Sequence, residues 1–90
     1  MISSTKASFR KRFEQLPPRL QQRVIESYRL WQRDPWNRRL MFKKIGNYWS
    51  VRIDGGYRAM ATREGEQVTW FWIGNHDEYT RLIKELRRSG

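Results

Sequence analysis

From Tyr48 to Thr62 the chain reads YWSVRIDGGYRAMAT, two stretches of period-two alternation divided by Asp54-Gly55-Gly56. Aromatic and β-branched residues at alternate positions fit a pleated strand, and a Gly-rich break marks a reversal. The passage predicts two antiparallel strands, Tyr48 to Ile53 and Tyr57 to Thr62. Working outward, Leu40 to Ile45 and Val68 to Ile73 carry the same period. Gly46-Asn47 is a two-residue hairpin signal, and the remaining connections are short, so four strands in an antiparallel meander are the simplest topology.

On either side the period changes to that of a helix. Phe9, Phe13 and Leu16 recur at helical spacing from roughly Thr5 to Gln15, with Lys6, Arg10 and Arg12 elsewhere on the helix. Pro18 suits a first helical position, and Leu20, Val24, Tyr28 and Trp31 make the stripe of a second helix that Asp34-Pro35 ends. After Gly74-Asn75, the run Glu78 to Arg88 puts Tyr79, Leu82, Ile83 and Leu86 on one face of a third. The expected fold is α+β: an N-terminal helical hairpin packed on a four-stranded antiparallel sheet, with a C-terminal helix. Residues 1–90 form one domain, because so short a chain buries only about 60 to 65% of its unfolded surface and supports one core. With the helices on one face, the other face is expected to be open to a ligand.

Charge points to that ligand. Nineteen Lys and Arg against nine Asp and Glu leave a formal +10, and fourteen of the cations are Arg. A net charge of about five would serve for solubility, so the excess points to a polyanion, with RNA the leading reading. Arginine adds a planar fork that grips phosphate in two places. With no cysteine and one histidine, disulfides and thiolate metal sites are excluded and a structural zinc site is not expected, so no metal or cofactor is proposed. The N-terminal stretch lacks an apolar signal core and no run reaches membrane-spanning length, which makes the cytoplasm the expected location and a membrane partner unexpected.

A tight turn at Asp54-Gly55-Gly56 would pair Ile53 with Tyr57 and set Arg52 directly across from Arg58. Like charges opposed on a sheet repel, so either an anion lies between them or acids such as Glu14 or Asp54 neutralise them. His76 follows the last strand; it is either a polar cap or a general acid-base group, the task to which imidazole is suited near neutral pH. Trp31, Trp70 and Trp72 read as core, whereas Trp36, Trp49 and Tyr48 are the aromatics expected at the surface. Lys43, Lys44, Arg38 and Arg39 form either a phosphate-positioning approach or a solvated rim.

Three segments resemble the RelE/ParE superfamily of bacterial toxins from type II toxin-antitoxin systems. They are Trp49-Ser50-Val51-Arg52-Ile53, Gly56-Tyr57-Arg58-Ala59 and Trp70-Phe71-Trp72-Ile73-Gly74-Asn75-His76-Asp77-Glu78-Tyr79. The two-helix start and final helix fit the same family. The resemblance implies a toxin silenced by a cognate acidic antitoxin, and a RelE-like enzyme that enters the ribosome and cuts mRNA without a metal. In such enzymes the 2′-hydroxyl is the internal nucleophile and a 2′,3′-cyclic phosphate is left. Carried over by position, Arg58 stabilises charge on the scissile phosphate, Arg52 assists it, His76 transfers a proton and Tyr79 stacks on or orients the cleaved nucleotide. Ser50 stands where some relatives carry a second lysine, among the RNA- and ribosome-facing positions. The alternatives are a ParE-like poison of DNA gyrase, whose relatives typically lack an acid-base residue at the place of His76, and an inactive RNA-binding domain.

Overall fold

The computed structural model describes residues 1–89. In chain order these form β1 (Ile2–Thr5), α1 (Ala7–Glu14), α2 (Pro18–Arg33), a 3-10 turn (Arg38–Leu40), β2 (Lys43–Ile45), β3 (Tyr48–Asp54), β4 (Tyr57–Glu64), β5 (Gln67–Asn75) and α3 (His76–Ser89). The two N-terminal helices and the antiparallel meander from β2 to β5 form as their periodicities predict, but the helices pack on the sheet rather than on each other as a hairpin. Three features correct the expectation.

First, the sheet has five strands, in the order β1-β5-β4-β3-β2, and it is mixed: β1 pairs with β5 in parallel. Ile2-Ser3-Ser4-Thr5 is too short and too polar to show alternation, and it becomes a strand because the edge of β5 offers it a template. Beyond β1, α1 closes the same edge with side chains. Ser8 Oγ donates to the Phe71 carbonyl at 2.7 Å and Arg12 Nε to the Ile73 carbonyl at 2.6 Å. Strand carbonyls that would otherwise lack partners are thereby satisfied.

Second, the strand expected over Leu40 to Ile45 is reduced to Lys43–Ile45. The Asn37 side chain accepts from the Arg39 N–H at 3.0 Å and opens a 3-10 turn, which Met41 ends in the left-handed region at φ 46. The turn exists to bury Leu40, which is 1% exposed.

Third, the helices do not share one face. Phe9, Phe13, Val24 and Trp31 from α1 and α2 pack on Val51, Ala59, Ala61, Val68, Trp70 and Ile73. Two alanines in the central strand leave room for the Trp31 and Trp70 rings, which meet edge to face at 5.3 Å. On the other side, Ser50, Met60 and Trp72 form one cross-strand row. Met60 and Ser50 are 0% and 1% exposed because α3 covers them, with Tyr79 Oη donating to Ser50 Oγ at 3.2 Å and Ile83 and Leu86 lining a small cavity beside Met60. The face expected to be open is closed along that row. No described helix is long and apolar enough to cross a membrane.

Candidate functional site

The end of β5 and the start of α3 are fixed by a reciprocal cap. Asn75 Oδ1 accepts from the Glu78 N–H at 2.8 Å, while Glu78 Oε1 accepts from the Asn75 N–H at 3.0 Å. This capping box satisfies two donors at the helix entrance and starts the helix at His76, two residues before the position that its apolar stripe indicates. The His76 N–H donates to the Gly56 carbonyl at 2.8 Å, which ties α3 to the β3–β4 turn. Since Tyr57 pairs with Asn75 and Arg58 with Gly74, the histidine stands across from Gly56, at the same end of the sheet as Arg58.

The imidazole of His76 is exposed and lies 6.2 Å from the Tyr79 ring; the Arg58 guanidinium lies 6.0 Å from that same ring. The two groups thus flank one buried aromatic platform. Arg58 Nη1 donates to the carbonyls of Asp54 at 3.2 Å and Tyr57 at 3.0 Å, which orients the guanidinium without neutralising it. Arg52 does lie across from Arg58. A bulge at Ile53 makes Asp54, not Ile53, the partner of Tyr57. Arg52 reaches toward Met41, with Nη1 at 3.9 Å from its sulfur, whereas Arg58 turns to the carbonyls of its own turn. Neither arginine joins the ion pairs of the described residues, Arg12–Glu78, Arg63–Glu66 and the Met1 terminus with Glu66. The Asp54 carboxylate instead accepts from the Gly56 N–H at 2.9 Å and shapes the turn.

Two of the assigned residues lie below the surface. Tyr79 is 8% exposed and its hydroxyl is committed to Ser50, so the ring supports the site from beneath and offers no face for a nucleotide to stack on. Ser50 is buried by that contact and does not reach a ligand. Lys43, Lys44, Arg38 and Arg39 are all exposed, at the β2 side of the sheet, away from His76. Trp36 is 57% exposed, while Trp49 and Tyr48 are half-buried, with Arg63 lying 4.7 Å over the Trp49 ring.

Arg12 is the residue that periodicity missed. Besides Ile73, it holds Glu78 Oε2 at 2.8 Å through Nη2, and its guanidinium lies 5.1 Å over the Trp72 ring. It therefore clamps α1 to the capping box that presents His76. The hydrogen bond from the Asn75 N–H holds the Glu78 carboxyl below the usual range, the Arg12 bond and the charges of Arg12 and Arg81 act the same way, and partial burial opposes them. Gly74 is part of this clamp. A Cβ there would come within 2.5 Å of the Trp72 ring and 3.0 Å of Arg12 Nη2, so only glycine lets the ring and the guanidinium close over the strand. No cluster of three or more metal-ligating side chains occurs among the described residues.

No family model and no curated protein matches this chain, whereas solved structures do. A chain of the RelB-RelE antitoxin-toxin complex from Methanococcus jannaschii matches with TM-score 0.67 and 19% identity, over 91% of this chain and 98% of that one. The toxin-antitoxin complex RelBE2 from Mycobacterium tuberculosis matches with TM-score 0.64 and 21% identity, over 83% and 96%. The isolated E. coli RelE toxin matches with TM-score 0.61 and 12% identity, over 94% and 97%. The resemblance read from Trp49 to Tyr79 is borne out as a likeness of fold: this chain has the fold of the RelE-type toxins.

Proposed function

We propose that this chain, with its RelE-type fold, is the toxin of a toxin-antitoxin pair and acts as a metal-independent endoribonuclease on ribosome-bound mRNA. One observation carries the reading: His76, exposed, and Arg58, free of any carboxylate, flank the same platform at the end of β5. In the proposed reaction the substrate's 2′-oxygen attacks the adjacent phosphorus and the bond to the 5′-oxygen breaks. Arg58 donates N–H groups to the non-bridging oxygens as charge builds on them. His76 gives a proton to the departing 5′-oxygen while the 2′-hydroxyl proton passes to water, leaving a 2′,3′-cyclic phosphate and a free 5′-hydroxyl. A positioned proton donor contributes roughly 100- to 10,000-fold. The +10 charge supports an encounter with ribosomal RNA and mRNA, and an acidic antitoxin is the partner of opposite charge.

Primer extension on mRNA from a translating extract tests the reading, with wild-type protein and with His76→Ala. Cuts in the ribosomal A site that vanish with the variant support it. A toxic wild-type protein that makes no cuts overturns it in favour of a poison of DNA gyrase, and a non-toxic one in favour of a binding domain.

A further inference from the structure

On the other side of the β3–β4 turn from His76 lies a cavity of about 590 Å³, within the roughly 300 to 1,000 Å³ of ordinary ligand pockets. Arg23 and Arg33 enter it from one face of α2, Arg39 from the 3-10 turn and Arg52 from β3. Glu26 and Asp54 also line it, but none of the four arginines forms an ion pair among the described residues, and Asp54 is engaged by the turn. Four guanidiniums against the two carboxylates of Glu26 and Asp54 leave the lining with a net positive charge, which favours the entry of an anion.

The cavity and the candidate site share a wall. Asp54 and Gly55 line the cavity, the Asp54 carbonyl accepts from Arg58, and the Gly56 carbonyl accepts from the His76 N–H. Gly55 and Gly56 carry no side chain, so the turn is a bare ridge between the two. We infer that the four-arginine cavity binds backbone phosphates of the RNA strand whose scissile bond lies at His76, so that the strand crosses the ridge from one to the other. This rests on the ribonuclease reading and adds a second phosphate subsite to it.

The test is fluorescence anisotropy with 2′-O-methyl RNA oligonucleotides, which cannot be cut, across a salt series. Each phosphate contact to a single strand contributes about 0.7 to the slope of log K against log salt, so Arg23→Gln, Arg33→Gln, Arg39→Gln in one protein should lower the slope by about 2. The control carries Lys11→Gln, Arg29→Gln, Arg88→Gln, exposed cations that line no part of the cavity, and should change it by well under half as much. The loss should also be confined to oligonucleotides long enough to span the ridge. Equal slopes for the two triple variants, or a cavity variant that binds RNA as wild type does, overturn the subsite. If wild-type protein cuts mRNA as proposed, such a result leaves the ribonuclease reading intact. A wild-type protein that neither binds RNA nor cuts it overturns both.

Discussion

Replacing Arg12 by alanine should destabilise the fold by about 2 to 3.5 kcal/mol and, through α3, displace His76. The guanidinium makes three contacts at once: a 2.6 Å bond to the Ile73 carbonyl, a 2.8 Å bond to Glu78, and a position 5.1 Å over the Trp72 ring. A charged hydrogen bond contributes roughly 1.5 to 3 kcal/mol when buried, and the lower figure applies to a side chain that is 36% exposed. The ion pair is screened by solvent and adds only about 0.2 to 1 kcal/mol, and the stacked ring about 0.5 to 1. Urea unfolding reads the total directly. In a domain of this size it should also lower Tm by about 4 to 8 °C per kcal/mol. Arg12→Lys separates geometry from charge: a lysine can reach Glu78 but cannot span Glu78 and Ile73 together, so it should recover less than half of the loss. A loss under about 0.5 kcal/mol in the alanine variant, or full recovery by lysine, would refute the clamp.

Gly74→Ala should cost about 1 to 3 kcal/mol by urea unfolding, because the new methyl overlaps the Trp72 ring; a neutral result would mean that the ring is not held over the strand. Tyr79→Phe should cost about 1 kcal/mol for the lost Ser50 bond while mRNA cleavage stays within a few-fold, and a loss of cleavage at unchanged stability would restore a direct role for the hydroxyl. The folded-state pKa of Glu78 is lowered, so its contribution is fully present above the unfolded value near 4.3 and disappears as acid titrates it through the lowered folded value. Glu78→Gln should therefore be less stable than wild type at pH 7 and approach it as the solution is acidified, as followed by urea midpoints; a gap that is constant with pH would discount the carboxylate.

Elements that repeat a period were legible along the chain. The stripe Leu20, Val24, Tyr28, Trp31 made a helix and the alternations from Tyr48 to Ile73 made the meander, because each rests on contacts between near neighbours; Arg52 still faces Arg58, but through a bulge at Ile53 that the turn residues did not announce. What covers what emerged from long-range packing. Ile2–Thr5 carries too little apolar pattern to declare itself a strand and gains its structure from the edge of β5. Trp70-Phe71-Trp72-Ile73 is apolar on both faces, which is the mark of a strand covered twice, yet only packing shows that α3 is the second cover and that its Tyr79 closes over Ser50. Arg12 belongs to the same class: along the chain it is one cation among nineteen, and its role comes from a carbonyl 61 residues away and a carboxylate 66 away. Local periodicity records which way a side chain points from its own backbone, and not which distant surface it will meet.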